Sequence, residues 1–416
     1  MSGGPRAPSM IAYGEALSRL LAGLNPVSAE TIAIADGLGR VLSAPVMAAR
    51  AHPPVSVSAM DGYAVRSADV AQSQSRLTMI GEAPAGAPFE GAVRSGETVR
   101  IFTGGWLPRG ADRVVIQENA ERSGAIVTIK EPQTGDTHIR RAGLEFEEGA
   151  VVLRAGERLN GAQLALAATA NTATLGVYKK PRVLIVASGD ELVEPGGRLA
   201  AGSIINSAAY AVEALAIEWG AAARREEILP DQIDACVRRL APLIETSDLI
   251  VSIGGASVGD YDIIKPAFDG LGFERVFEKV AVKPGKPVWH ARRADGALVL
   301  GLPGNPASAL ACSWLFLAPL LKALSGQKAR AGDYLKVRAA ASTPPNGARE
   351  AFLRGVAWIE EGGVVARPDE KQDSSLLGPF ARANVLIRRA PNAPAVNPGD
   401  IIDVRIIGPL GVAPQK

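Results

Sequence analysis

A chain of 416 residues exceeds one ordinary hydrophobic core, so two to four domains are expected. Hydrophobic residues make up 47% and charged residues 21%, which excludes a disordered chain, and a net charge of +2 gives no reason to expect a nucleic-acid partner or a membrane surface. Two cysteines (Cys236 and Cys312) and three scattered histidines (His52, His138 and His290) form no transition-metal pattern, and the thiols are expected to be reduced and buried.

Residues 1–9 are rich in Gly, Pro and Ser and are expected to lack fixed structure. The run from Met10 to Leu24 is broken by Glu15 and Arg19, which excludes a signal-peptide core and leaves an amphipathic helix ended by Asn25-Pro26; the expected location is cytoplasmic. Val27 to Val46 reads as a strand or a short helix pair around Asp36-Gly37-Leu38-Gly39-Arg40. From Ala51 the texture becomes short β-like pieces punctuated by Gly and Pro. Asp61-Gly62 reads as a hairpin turn or as a carboxylate on an exposed turn, and Val99 to Gly105 as a strand ending in Thr103-Gly104-Gly105. A helix opens at Asn160, a suitable N-cap.

The clearest region begins at Pro181. Strand-like and helix-like stretches alternate: Arg182 to Ala187, a helix capped by Asn206, a helix capped by Asp231, Leu249 to Ile253, a helix near 263–269, Val276 to Val282, Ala297 to Leu302, and a helix opened by Pro306. This predicts a mostly parallel sheet with helices on both faces. The apolar stretch Ala307 to Leu321 reads as a buried helix, too short to span a bilayer. After Gln327 short β-like runs (Tyr334–Ala341, Phe352–Ile359, Val364–Arg367, Asn384–Arg388, Ile401–Ile407) predict a small β-barrel or sandwich. The expected fold is therefore multidomain α/β plus β: 1–47 with 143–180 as one domain, an inserted β domain at 48–142, an α/β domain at 181–328 and a C-terminal β-barrel at 329–416.

Four turns of the α/β region are expected to share the carboxyl edge of its sheet. They are Ser188-Gly189-Asp190-Glu191, Gly254 to Asp262, Lys283 to Pro287, and Pro303 to Pro306. Bare backbone at Gly254, Gly255, Ser257 and Gly259 suits an anion, as does the helix start at Gly304 and Asn305. Asp190, Glu191, Asp260 and Asp262 are hard oxygen donors suited to Mg2+. Lys283 and Lys286 are either solvated or held for a diphosphate or other oxyanion. No Walker loop, dinucleotide fingerprint or nucleophile elbow is present. The set points to metal-assisted phosphoryl or oxyanion chemistry.

Six motifs, in order, resemble the molybdopterin molybdenumtransferase family (MoeA, and the E domain of gephyrin). They are Ser58-Ala59-Met60-Asp61-Gly62-Tyr63-Ala64, Ile101-Phe102-Thr103-Gly104, Ser188-Gly189-Asp190-Glu191-Leu192, Gly254-Gly255-Ala256-Ser257-Val258-Gly259, Val282-Lys283-Pro284-Gly285-Lys286-Pro287, and Gly301-Leu302-Pro303-Gly304-Asn305-Pro306. The resemblance implies an elongated homodimer of four-domain subunits, with the domain of 1–47 and 143–180 in dimerisation and sites shared between subunits. It implies conversion of adenylylated molybdopterin and molybdate, with Mg2+, to molybdenum cofactor and AMP. By position it implies catalytic roles for Asp61, Thr103, Glu191, Asp231, Asp262, Lys279 and Lys283. Pro303, Pro306, Arg354 and Ser374 would contact substrate, joined by Lys286 and Asn305 from the turn argument; Glu191 and Asp262 would hold Mg2+. Implied partners are the molybdopterin adenylyltransferase and molybdoenzyme-maturation proteins. Two departures stand out: Gly143-Leu144-Glu145-Phe146 keeps a single acid, and Trp106 follows Thr103-Gly104-Gly105 where relatives tend to have Thr-Gly-Ala-Pro. Two other classes fit the same turns: a non-catalytic pterin- or nucleotide-binding scaffold, and a nucleotide pyrophosphate hydrolase.

Overall fold

A computed structural model describes residues 10–255, 263–328 and 333–411. The chain divides into two compact units, Thr31–Val177 and a second formed by Met1–Glu30 with Tyr178–Lys416. In the first unit, strands pair in the order Arg113–Ile116, Gly62–Val65, Glu97–Ile101, Ser75–Ala83, Ile126–Ile129 and Ala120–Ser123 to make a six-stranded sheet. A separate apolar cluster gathers Leu42, Val46, Phe146, Leu153 and Leu175 beside the helix Gly161–Thr169. That helix starts as expected. The Asn160 side chain accepts the Gln163 amide at 3.0 Å and the Gln163 side chain accepts the Asn160 amide at 2.9 Å, which satisfies two of the first-turn donors.

The second unit holds the α/β sheet. Its elements are α1 (Tyr13–Leu21), β1 (Arg182–Ala187), α2 (Ser207–Glu218), β2 (Ala222–Arg225), α3 (Ile233–Ile244), β3 (Leu249–Ile253), α4 (Ile264–Gly270), β4 (Glu274–Phe277), β5 (Trp289–Arg292), β6 (Leu298–Leu302) and α5 (Pro306–Leu324). The order across the sheet is β2-β1-β3-β6-β5-β4, parallel through β6 and antiparallel beyond it. Alternation along the strands divides the core, as a pleated sheet requires. Val183, Ile185, Val251 and Leu300 pack with α1, α2 and α5, while Leu184, Val186, Ile250 and Val299 pack with α3 and α4.

The barrel follows, with β7 (Leu335–Ala339), β8 (Glu350–Glu360), β9 (Gly363–Pro368), β10 (Val385–Arg389) and β11 (Ile401–Ile406). The ring runs β8-β9-β7-β11-β10 and closes by pairing β10 with β8, leaving no free edge between them. The short helix Leu377–Arg382 was not anticipated; its six residues are too few for a periodic signal.

Four sequence expectations are corrected. The strand expected over Val276–Val282 is two strands in different sheets: β4 ends at Phe277, and Val282–Lys283 pairs in parallel with β8 of the barrel. Asn206 stands at the N-cap of α2, but its side-chain amide donates to Glu194 and its side chain accepts from no helix amide. Asp231 lies one residue before the N-cap of α3, which is Gln232, so it does not cap that helix. Finally, α5 runs from Pro306 to Leu324 as the sequence predicts, but at that length the expectation that it is too short to span a bilayer does not hold. Over Pro306–Leu324 it is long and apolar enough to cross a membrane by length and composition, yet 78% of the qualifying window is buried inside the protein, which makes it the core helix of this unit.

His290 on β5 is fully buried. Its Nδ1 faces the Val299 carbonyl at 2.8 Å and therefore carries the proton, while Nε2 accepts from Arg292 Nε at 3.1 Å. Arg292 in turn donates to the carbonyls of Arg19, Leu20 and Ala22 at the end of α1. Burial lowers the His290 pKa to about 4. Between that value and the ordinary 6.5 the unfolded chain binds a proton that the fold rejects, so stability is lost as pH falls through this window. The loss is on the order of 3 kcal/mol. Urea midpoints at pH 7, 5.5 and 4.5 should fall steeply for the wild type and less steeply for His290→Gln; parallel slopes would contradict this assignment.

Candidate active site

Three of the expected turns leave the sheet side by side. Ala187 pairs with Ile253 and Ile253 with Leu302, so the turns after β1, β3 and β6 start from neighbouring strand ends. This is the edge where open α/β sheets place ligands. Gly254 and Gly255 adopt φ values of 87° and 57°, and a Cβ on Gly304 would lie 3.4 Å from the Gly254 Cα, so the turns approach one another as bare backbone. Gly255 has little choice of residue, since an added Cβ would meet Ile264 at 2.7 Å.

A cleft of about 720 Å³ opens over these turns. Of the residues predicted from sequence, it is lined by Glu191, Gly254, Gly255, Lys279, Lys286, Pro303, Gly304, Asn305 and Pro306. Pro306 stands at the start of α5, so the first amides of that long helix open toward the cleft without a side-chain cap from Asn305. The Asn305 side chain instead donates to Ser374 Oγ at 3.1 Å, which brings Ser374 to the rim.

The fourth turn differs from expectation. Lys283 belongs to the short strand on β8, is exposed and does not line the cleft, because its strand joined the barrel and not the parallel sheet. The loop it begins still delivers Lys286. That loop is braced by Val280 donating to the Lys286 carbonyl at 3.0 Å, and Lys279 is braced by Ile11 donating to its carbonyl at 3.1 Å. Asp231 also stays out of the lining. Its carboxylate accepts the Asp190 amide at 3.1 Å while the Asp231 amide reaches the Asp190 carboxylate at 3.4 Å, a reciprocal tie that steadies the turn ahead of Glu191. Glu191 folds its carboxylate over Gly189, where a Cβ would sit 2.6 Å from Oε2.

Arg354 on β8 is 1% exposed and lies outside the cleft lining, under the segment 369–375. One terminal nitrogen donates to the Lys371 carbonyl at 3.2 Å, and Nε finds no acceptor among the described residues. Burial lowers its pKa, with Asp369 and Asp373 opposing. Asp61 and Thr103 lie in the other unit. There the Asp61 carboxylate accepts the Thr103 amide at 2.7 Å and the Thr103 hydroxyl at 2.8 Å, and these bonds, the amide first, hold its pKa below the ordinary carboxylate value. Ser257, Gly259, Asp260 and Asp262 lie outside the described residues. Among the described residues no three His, Cys, Asp or Glu side chains form a metal-holding group.

Ser188 and Leu192 lie in a turn and motif the sequence singles out, but other lining residues have no such mark: Asn206, Lys265, Glu278, Ser375 and the aliphatic Ile204 and Ile205. Lys265 carried a usable signal, a lysine inside the apolar run of α4. Asn206 was masked by its resemblance to a helix cap. Ile204 and Ile205 had none, because the excursion between Glu191 and Asn206 has no periodicity.

A sheet parallel across β2, β1, β3 and β6, whose strand-end turns, lysines and helix start converge on one cleft, followed by a closed barrel, defines a multidomain α/β protein whose sheet edge has the chemistry to suit an anionic ligand. Family models match along the chain: the MoeA N-terminal region (domain I and II) over residues 11–171, a probable molybdopterin binding domain over 184–323, and the MoeA C-terminal region (domain IV) over 336–407. A molybdopterin molybdenumtransferase of Nostoc sp. is 34% identical over 332 residues, 78% of this chain and 76% of that protein. One of Haemophilus influenzae is 31% identical over 399 residues, 95% and 98% of the two chains. The crystal structure of the molybdopterin biosynthesis moeA protein of Pyrococcus horikoshii OT3 has the same fold, with a TM-score of 0.84 at 24% identity, covering 96% of this chain and all of that one. The chain belongs to the molybdopterin molybdenumtransferase family, enzymes of molybdenum cofactor synthesis.

Proposed function

We propose that this enzyme inserts molybdenum from molybdate into adenylylated molybdopterin and releases AMP. The observation that carries the reading is the cleft itself: Lys279, Lys286, two glycine turns and the start of α5 converge where a pyrophosphate needs cationic and N–H partners. Lys279 and Lys286 would offset phosphate charge, with Lys283 at the entrance of the same loop. Pro303 and Pro306 would shape the wall from which Gly304 and Asn305 present donors. Arg354, with a buried donor that finds no acceptor among the described residues, and Ser374, tied to Asn305, suit a tetrahedral oxyanion such as molybdate once the 369–375 segment admits it. A molybdate oxygen would pass to phosphorus as the phosphoanhydride breaks and AMP leaves, and the Mo–O bond lost would be replaced by bonds from the dithiolene sulfurs of molybdopterin to molybdenum.

Glu191 at the cleft suits Mg2+, since that ion uses one or two carboxylates and takes its remaining ligands from waters and substrate phosphates. Glu191, beside the bare backbone of Gly189, would supply one carboxylate and Asp262 the second; the bound ion would neutralise phosphate charge. We assign Asp231 to steadying the Glu191 turn. Asp61 and Thr103 form one preorganised hydrogen-bonded unit and are proposed to complete the site of a second subunit in a cytoplasmic homodimer, which would exchange substrate and product with the molybdopterin adenylyltransferase and molybdoenzyme-maturation proteins. The chain's domains would be 1–47 with 143–180, the inserted 48–142, 181–328 and 329–416.

The test is AMP release from adenylylated molybdopterin with and without molybdate. Release only with molybdate is expected. AMP release at the same rate without molybdate would replace the reading with a pyrophosphate hydrolase, and binding without any release would replace it with a scaffold.

A further inference from the structure

Part of the cleft lining is aliphatic, and nothing in the phosphate chemistry above uses it. After Glu191 the chain makes an excursion and returns at Asn206 to start α2. The ends of this excursion pair in parallel, Leu192–Val193 against Ile204–Ile205. Leu192, Ile204 and Ile205 line the cleft, with Ile204 54% and Ile205 37% exposed. Single exposed aliphatics are ordinary on a surface, but three together inside an anion-binding cleft are an apolar face awaiting a flat partner.

The strand pair is anchored by more than its own ladder. Ile204 donates to the Glu191 carbonyl at 2.8 Å and Asn206 to the Val193 carbonyl at 2.9 Å. Glu194 then accepts from the Asn206 side-chain amide on one oxygen and from the Tyr210 hydroxyl on the other, both at 2.9 Å. Arg225 covers the Tyr210 ring with its guanidinium 3.4 Å from the ring centre and is itself held by Glu213 at 2.6 Å. Asn206 is buried at the N-cap of α2, yet its side chain forgoes the helix amides, a cap ordinarily worth about 1 kcal/mol. The side chain that would stabilise the helix is committed to holding the strand pair.

We propose that the Leu192–Ile205 strand pair is a ring-binding shelf. It receives the planar heteroaromatic ring of the ligand whose phosphates meet Lys279, Lys286 and the glycine turns, and Glu194 is the positioning residue that fixes it. The proposal rests on the phosphate-bearing ligand of the preceding section. The ring is a nucleobase or a pterin, and the experiment separates the two.

Affinities of wild type, Ile204→Ala, Glu194→Ala and Glu194→Gln are measured by calorimetry for AMP, for ribose 5-phosphate, which has no ring, and for molybdopterin without its nucleotide. Ile204→Ala should weaken one ring-bearing ligand by about 5- to 20-fold, the worth of an uncovered aliphatic side chain, and leave ribose 5-phosphate unaffected. Loss confined to AMP places the nucleobase on the shelf; loss confined to molybdopterin places the pterin there. Glu194→Ala should reproduce the Ile204→Ala pattern, and Glu194→Gln, which keeps an acceptor oxygen, should recover most of it. If Glu194→Ala does not fold, Tyr210→Phe, which deletes one donor to Glu194, should show the same pattern weakly. Equal loss for ribose 5-phosphate, no loss for either ring-bearing ligand, or a wild type that binds none of the three overturns the shelf. A wild type that discriminates rings as described but releases no AMP from adenylylated molybdopterin would overturn the reaction and leave the shelf standing.

Discussion

Replacing Lys279 with Met should lower kcat/KM for molybdate-dependent AMP release by about 10²- to 10³-fold while leaving the melting temperature nearly unchanged. The size follows from how Lys279 is held. Its backbone carbonyl is bonded by the Ile11 amide, Ala281 reaches back to the Ile11 carbonyl at 2.7 Å, and Val280 ties to Lys286, so the residue sits on a three-way brace at the cleft wall. A lysine whose backbone is held at the cleft wall has less freedom to lose in meeting the phosphoanhydride than one on a mobile loop. The brace is made by backbone groups, so the substitution leaves it intact and stability should hold. Lys279→Arg keeps the charge but spreads it over a planar fork, and should recover activity only partly. A Met variant within threefold of wild type would remove Lys279 from the chemistry.

The same brace marks the limit of what could be read from the chain. The α/β class was legible because β1, β3 and β6 are nearly continuous apolar runs bounded by glycine and because α5 opens on a proline. Their strand-end turns were legible for the same reason: a turn after a parallel strand must lie at the carboxyl edge. What was not legible depended on partners far away in sequence. Val276 to Val282 reads as one apolar strand, yet the barrel strand β8, some seventy positions later, captures Val282 and Lys283 and moves that lysine out of the lining. Asp231 has the composition of a helix cap, and only the position of Asp190 turns it into a loop tie. The resemblance points to Arg354 as a substrate contact; its burial under the 369–375 segment depends on how β8 and that segment pack, and no local signal reports it. Glu191 and Lys286, set by their own turns, lie where the turns pointed.

Gly301→Ala should destabilise the fold by about 3 kcal/mol or more and abolish the cleft with it. Gly301 lies on β6 in register with Trp289 on β5, and a Cβ there would fall inside the indole, far below contact distance from its nitrogen. The indole cannot retreat: Trp289 is fully buried and packs against Phe268 with ring centres 5.8 Å apart. Its Nε1 has no acceptor among the described residues, so the ring is placed by shape alone and nothing polar can compensate a shift. Gly301 takes no left-handed backbone angle, so the requirement is purely one of space. Truncating the ring should relieve part of the clash. In urea denaturation, Gly301→Ala/Trp289→Leu is expected to be less destabilised than the sum of the two single changes by about 1.5 kcal/mol or more. Strict additivity would show that the indole is not the obstacle. Gly14→Ala is the matched control: beyond its chain neighbours and its own helix backbone, no atom of the described residues lies within 4 Å of its added Cβ, and in α1 it should raise stability by about 0.5–1 kcal/mol. Because Leu302 and Pro303 follow Gly301 directly, a β6 pushed off Trp289 also displaces the turn that faces the phosphates. Binding should therefore weaken even in any fraction that stays folded, which ties the demand for glycine in the core to the geometry of the site.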